Sequence, residues 1–247
     1  MRLIIPIFFI LNCIFSMTGL ELAKLMDSRD KPLDIKSINT MTLTNKKDKK
    51  RVLELISMSK DDSKKQMIWF LKPRKDKGIA FLKLEKENED DFMTMWLPGF
   101  SRFKRIKSSQ KSDSFMGSDL SFEDLTNRTI NDYNYNIIDT DENDFYYLES
   151  IPKGIDTEYS KHITKIKEIE KNIFIAIEEN SYDKDNQLLK NKIFNFKKIN
   201  SYYIMDKLEV SNVQKNHSTL LTLDKIELNN QFEDSKFSQK SLKIIPK

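Results

Sequence analysis

Cysteine is almost absent from this 247-residue chain: Cys13 is its one thiol. It lies inside the first apolar segment, so the folded domain holds neither a disulfide nor a cysteine-based metal site. Histidine is nearly as scarce, and His162 and His217 do not make a zinc centre without carboxylate help. An excess of one charge is missing too. The 42 basic and 38 acidic residues leave a formal net charge of +4, which gives no ground for a nucleic-acid partner. Glycine is rare while lysine, asparagine and isoleucine are heavily used, a codon bias of AT-rich coding rather than a physical constraint. What is present is enough for a core. Aromatic residues make up 11% of the chain and apolar residues 38%, which excludes global disorder. The length suits one domain of ordinary size or one long all-β domain.

The one sustained apolar run is at the start. Arg2 precedes Leu3 to Phe15, and small or polar residues follow. This is the plan of a secretory signal peptide, and the run is too short to span a bilayer as a permanent helix. Residues 1–19 are therefore read as a signal and 20–247 as the mature domain. Two processing routes remain open. A cut after Ser16 or Gly19 releases a soluble product; alternatively Ile10-Leu11-Asn12-Cys13 acts as a loose lipobox and Cys13 is lipidated. Both take the chain out of the cytoplasm.

After a short amphipathic helix over Leu20 to Asp30, stopped by Lys31-Pro32, the apolar period changes to two. Strands are expected over 35–44, 51–58, 66–72, 78–84 and 92–97. Later strands are expected over 133–140, 144–151, 162–169, 173–178, 188–199, 202–213 and 219–228. Polar turns such as Asn45 to Lys50 and Glu85 to Asp91 separate them. Phe237 and Leu242 are expected to dock the tail. These loops are too short for crossover helices, and one antiparallel sheet of this size must curl or close. The expected fold is mainly β: a single curled, unclosed antiparallel barrel with short lid helices over an apolar interior. A β-sandwich is the competing architecture.

The stretch from Met93 to Leu125 carries the most distinctive residues. It runs through a strand, a Pro98-Gly99 turn and a basic strand with Arg102, Lys104, Arg105 and Lys107. A Ser/Lys-rich loop then leads to Phe115-Met116-Gly117-Ser118-Asp119, and a short acidic helix follows around Phe122 to Leu125. With these pieces in this order, the chain resembles the outer-membrane lipoprotein-sorting proteins of the LolA/LolB-like superfamily. The nearest branch is the uncharacterised LolA-like one with an F-M-G-S-D signature, here Phe115 to Asp119 continuing as Leu120-Ser121-Phe122-Glu123-Asp124-Leu125. Trp96-Leu97-Pro98, Phe70-Leu71-Lys72-Pro73, Gly78-Ile79-Ala80-Phe81-Leu82 and Ser150-Ile151-Pro152-Lys153 agree with it. The resemblance covers essentially the whole mature chain. Departures are the shortened segment after Trp96, and Leu120 and Phe122 in place of larger or hydroxylated aromatics.

The resemblance implies a periplasmic carrier that binds acyl chains of lipoproteins, or other lipids, in a hydrophobic cavity for transfer to the outer membrane. The partners it implies are lipoprotein acyl chains or phospholipid, an inner-membrane release complex and an outer-membrane receptor. It implies no cofactor, no metal and no enzymatic step, and a monomer is expected. A lipid-anchored receptor, a phospholipid-binding protein and a periplasmic lipid sensor are the alternatives. Candidates for cavity lining or lid are Phe70, Phe81, Met95, Trp96, Phe115 and Met116, against the plain alternative of core packing. Arg102 and Arg105 are candidates for head-group contact or for pairing with the lid, against ordinary surface pairing. Gly117 is expected to supply an unusual backbone conformation. Ser118 or Asp119 is expected to cap the helix that carries Glu123 and Asp124. A catalytic pairing of Glu123 with Asp124, or Asp119 with His162, lacks any accompanying nucleophile motif or phosphate loop.

Overall fold

The computed structural model describes residues 17–246 apart from Asn88 and Asn143. Cys13 and most of the expected signal lie outside them. One helix, Gly19–Asp27 (α1), opens the fold. Thr18 and Glu21 form a reciprocal capping box at its start, which satisfies two otherwise orphaned N–H groups. Ser28 ends it, earlier than the expected Asp30, and the chain turns at Pro32 into the first strand.

The first meander comprises Asp34–Thr44 (β1), Lys50–Lys60 (β2), Lys65–Lys72 (β3), Ala80–Leu84 (β4), Phe92–Leu97 (β5) and Arg102–Ile106 (β6). A long segment then leads to the second. This comprises Tyr133–Ile138 (β7), Tyr146–Pro152 (β8), Lys161–Glu170 (β9), Ile173–Tyr182 (β10), Leu188–Ile199 (β11), Tyr202–Asn212 (β12) and His217–Leu228 (β13). All thirteen strands join one sheet in the order β6-β5-β4-β3-β2-β1-β13-β12-β11-β10-β9-β8-β7. Each pairing is antiparallel, so the N-terminal and C-terminal strands meet in the middle of the sheet, with Met41 opposite Leu221. The β6 and β7 edges stay unpaired with each other, and the barrel is not closed.

The curl follows from contacts across the inner face. β4 and β11 are six strands apart in the sheet order, about 29 Å on a flat sheet at 4.7–4.9 Å per strand. Yet Lys83 of β4 bonds the Leu125 carbonyl, and Lys192 of β11 bonds the Asp124 carboxylate. One short segment bridges both strands, so the sheet must wrap around it.

Alternation decides which side chains meet on each face. On β2, Leu53 and Leu55 face inward, whereas Ile56 and Met58 face outward. The outer face does not meet water there. Met58, Met67, Trp69, Ala80 and Leu82 are covered by the C-terminal tail through Phe237 and Leu242, as the sequence led us to expect. The Trp69 indole donates to the Leu242 carbonyl at 3.1 Å, and Asp234 bridges Lys60 and Lys65. On the inner face, α1 packs Leu22 and Ala23 against Leu148, Ile166 and Phe174. Gly19 allows this approach, since a Cβ there would lie 2.8 Å from the Tyr135 backbone.

The expectation of an apolar interior holds for half the inner face. From β1 to β6 it is lined chiefly by Met41, Leu43, Leu53, Leu55, Ile68, Phe70, Phe81, Met93 and Met95, with Ser37, Asn39, Ser57, Gln66 and Lys83 as polar exceptions. From β9 to β11 it carries His162, Thr164, Glu179, Ser181, Lys190 and Lys192, all buried. These polar residues alternate in the same period-two way as apolar ones. They are sheltered because the long segment after β6 folds back over them with matching charges.

Candidate functional site

The segment from Lys107 to Asp132 crosses the inner face and is fastened at nearly every turn. Phe115 and Phe122 fill its apolar underside. Phe115 lies 5.9 Å from Phe70 and 5.3 Å from Phe81, ring centre to ring centre, and Phe122 lies 5.7 Å from Phe81. Between them the chain reverses through Met116 (φ 55°) and Gly117 (φ 80°). Both occupy the left-handed region, which favours glycine; Met116 is held there by Arg51, which donates to its carbonyl at 3.3 Å.

Neither Ser118 nor Asp119 caps the turn that follows, contrary to expectation. The Ser118 hydroxyl is turned inward, donating to the Phe115 carbonyl at 2.7 Å. Asp119 accepts from Thr219 and pairs with His217, each at 2.7 Å, which ties the segment to β13. The role expected of them falls to Ser121, which exchanges hydrogen bonds with Asp124 across a 3-10 turn, Glu123–Leu125. This turn replaces the expected helix, because the polar groups of Asp124 and Leu125 are drawn outward to strand partners.

Glu123 and Asp124 point in different directions. Glu123 accepts from the Glu158 amide at 3.0 Å and from the Thr157 hydroxyl. Asp124 enters a buried ionic cluster, accepting from Lys190 at 2.7 Å, Lys192 at 2.6 Å and the Tyr159 hydroxyl at 2.9 Å. Burial opposes its ionisation, but Lys192 and Lys190 outweigh it and hold the carboxyl well below the usual carboxylate range. Glu179 is treated likewise, with burial overcome by Arg128 and Lys192. Arg128 grips Glu179 with two bonds of 2.6 and 2.7 Å, the bidentate geometry suited to a guanidinium. Burial, with Arg128 beside it, keeps His162 neutral. Further along, burial pushes the Tyr135 phenol up to about 12. Arg51, Arg128, Lys190 and Lys192 were not among the sequence candidates. Lys190 and Lys192 carry one signal, alternation: charged residues at i and i+2 along β11, normally the mark of a wet face; Arg51 and Arg128 carry none.

The structure gathers Phe70, Phe81, Met95 and Phe115 into one buried cluster, with Met116 packed against it. Trp96 does not join them. It has the opposite strand parity from Met95 and faces outward, 4.9 Å from Phe103 and under the tail at Lys243. Among the described residues, neither Arg102 nor Arg105 forms a hydrogen bond or ion pair with the crossing segment. Arg102 lies over the Phe100 ring; Arg105 lies 4.1 Å from the Phe92 ring centre and donates to the Asp91 carbonyl.

Beneath the segment a cavity of about 290 Å³ remains. Its apolar wall includes Met41, Leu55, Ile68, Phe115, Leu120 and Leu221, and Arg29, Lys31 and Asp62 also line it. Phe70, Phe81 and Met95 stand behind that wall rather than in it. A second opening, of about 950 Å³, lies between the β4–β5 turn and the start of β7. It is lined by Glu85, Asp91, Lys111, Arg128 and Asp132, so an apolar chain gains little there. Among the described residues, no group of three or more His, Cys, Asp or Glu side chains is placed to hold a metal ion.

Comparison with known proteins agrees with this architecture. A family model described as an uncharacterized protein family matches residues 62–244. Among solved structures, a domain from Vibrio parahaemolyticus named as an outer membrane lipoprotein-sorting protein is 27% identical. The match covers 92% of this chain and 98% of that one, with a TM-score of 0.84. A DUF1329 family protein from Desulfovibrio piger is 28% identical over 91% of this chain and 97% of its own, with a TM-score of 0.81. A LolA superfamily protein from Nitrosomonas europaea shares the fold at 15% identity and a TM-score of 0.72, covering 92% of this chain and all of that one. No curated protein matches the sequence.

Proposed function

The chain belongs to the uncharacterized protein family matched over residues 62–244 and has the fold of the LolA superfamily, and from that premise we propose that it binds acyl chains beneath the crossing segment. In this reading it is a periplasmic carrier of lipoprotein acyl chains or other lipids on their way to the outer membrane. The observation that carries the reading is the roughly 290 Å³ cavity between the crossing segment and the sheet, with Met41, Leu55, Ile68, Phe115, Leu120 and Leu221 in its wall. Binding rests on burial, at roughly 0.8 kcal/mol per CH₂, and requires no reacting group. The segment acts as a lid. Loading competes with its apolar packing, chiefly Phe115 on Phe70 and Phe81, and that competition supplies release. The ionic cluster around Asp124 is the lid's fixed end, since Asp124 is paired with both Lys190 and Lys192.

Native mass spectrometry of the protein purified from its own envelope, with lipid extraction, tests this. The expected result is an acylated species at near one per chain. Failure to retain lipid, together with failure to take up a fluorescent acyl probe, removes the reading. The intact mass also separates a released carrier from a receptor anchored through Cys13.

A further inference from the structure

The cavity has a polar floor where a site for hydrocarbon alone would be apolar throughout. Ser37 and Asn39 on β1, Ser57 on β2 and Gln66 on β3 form a belt across the inner face. The Ser37 and Ser57 hydroxyl oxygens lie 2.9 Å apart, and the Asn39 amide nitrogen donates to Ser57 at 2.9 Å. Two acceptors are left over. Asn39 Oδ1, on a residue only 3% exposed, and Gln66 Oε1 are buried with no partner among the described residues. A buried acceptor without a donor costs roughly 1–3 kcal/mol, so this belt is incomplete as it stands. Along the same strands it gives way to Met41, Leu55 and Ile68. The inner face is therefore amphipathic along the strand direction, and the cavity spans the boundary. Its volume of about 290 Å³ sits at the bottom of the roughly 300–1,000 Å³ of small-molecule sites, room for one slender chain and not for three.

Resting on the lipid-binding reading above, we propose that this cavity takes a single-chain amphiphile with a neutral head that carries hydroxyl or amide N–H donors. The head is seated on Asn39 and Gln66, and the chain runs toward Met41, Ile68 and Phe115. A bare hydrocarbon leaves both acceptors unanswered. At this belt, a head that only accepts sets lone pair against lone pair.

The test compares two ligands of one chain length on the purified protein by displacement of a fluorescent acyl probe. Monododecanoylglycerol offers two hydroxyl donors, and methyl dodecanoate offers none. The glycerol ester is expected to bind at least about tenfold more tightly. Asn39→Leu and, independently, Gln66→Leu are expected to bring that ratio toward one; the wild-type pair decides should either variant fail to fold. Equal affinities in the wild type overturn the donor-head inference while leaving lipid binding in place. Failure of both ligands and of the probe removes the lipid-binding reading itself.

Discussion

Asp124 is the residue on which the most buried charge depends. Its carboxylate is shared by Lys190 and Lys192, all three nearly inaccessible to solvent. Replacing it by alanine leaves two ammonium groups buried with fewer partners, a change expected to cost about 3–5 kcal/mol. Arg102→Ala, at an exposed edge position, is expected to fall within about 0.5 kcal/mol of the wild type. Urea denaturation of the two variants checks the contrast. His162 sets a second, pH-dependent effect. It sits against Arg128, Ser181 and Glu179, with the Tyr133 and Tyr159 rings beside it. Burial first, and Arg128 next, hold its pKa well below the ordinary 6.5. Below that pH the unfolded chain takes up a proton that the folded chain refuses. Stability therefore falls on acidification from about pH 6.5, by up to about 1.4 kcal/mol per unit. Asp124 and Glu179 act lower. Their depressed carboxyls contribute fully above the ordinary 3.8 and 4.5, and that contribution is lost as pH falls through the folded values. His162→Gln is expected to flatten the stability profile between pH 6.5 and 5 and to leave the steeper acid limb intact. A wild-type profile with no slope in that window would contradict the burial of a neutral imidazole.

At the level of elements, α1 bears on where a mature chain begins if the N-terminal apolar run is removed as a signal. Thr18 caps the helix and Gly19 is its first residue, pressed against Tyr135. A cut after Gly19 would delete both, whereas a cut after Ser16 keeps them. N-terminal sequencing of the secreted protein is expected to start at Met17, which also leaves Cys13 behind and excludes an anchor through it. Thr18→Ala is expected to cost about 0.5–2 kcal/mol. The lid offers a separate test. Phe115→Ala removes a ring packed on Phe70, Phe81 and Phe122, for an expected loss of about 3–5 kcal/mol in urea unfolding. It also opens the cavity wall, so branched or longer acyl probes are expected to bind better relative to straight short ones. Strands were legible in the sequence, because period-two alternation and polar turns such as Asn45 to Lys50 are local signals. Lid attachments were not. Asp119 finds Thr219 and Asp124 finds Lys192 only once the sheet has curled. Phe70 and Trp96 looked alike as apolar strand residues; they parted because the tail covers the outer face and makes both parities apolar.

At the scale of the whole molecule, a sheet covered on both faces over β2 to β5 separates two kinds of event. The tail, with Phe237 and Leu242, closes the outer face over β2 to β5, while α1 and the lid close the inner one. The chain's two tryptophans, Trp69 and Trp96, belong to the outer cluster. Truncation after Leu228 strips away Phe237 and Leu242, each worth roughly 1.5–3 kcal/mol of burial, and removes the carbonyl that pairs with the Trp69 indole. Such a chain is expected to lose stability, to shift its tryptophan emission to the red and to associate through the bared patch, read by fluorescence and light scattering. On the proposed reading, acyl loading lies on the other side of the sheet. Filling the cavity at Met41 and Phe115 displaces nothing that touches Trp69 or Trp96, so the emission maximum of the intact protein is expected to stay fixed as an acyl ligand is added. A red shift on loading would mean that the sheet transmits lid opening to the tail, and that the two faces are coupled rather than independent.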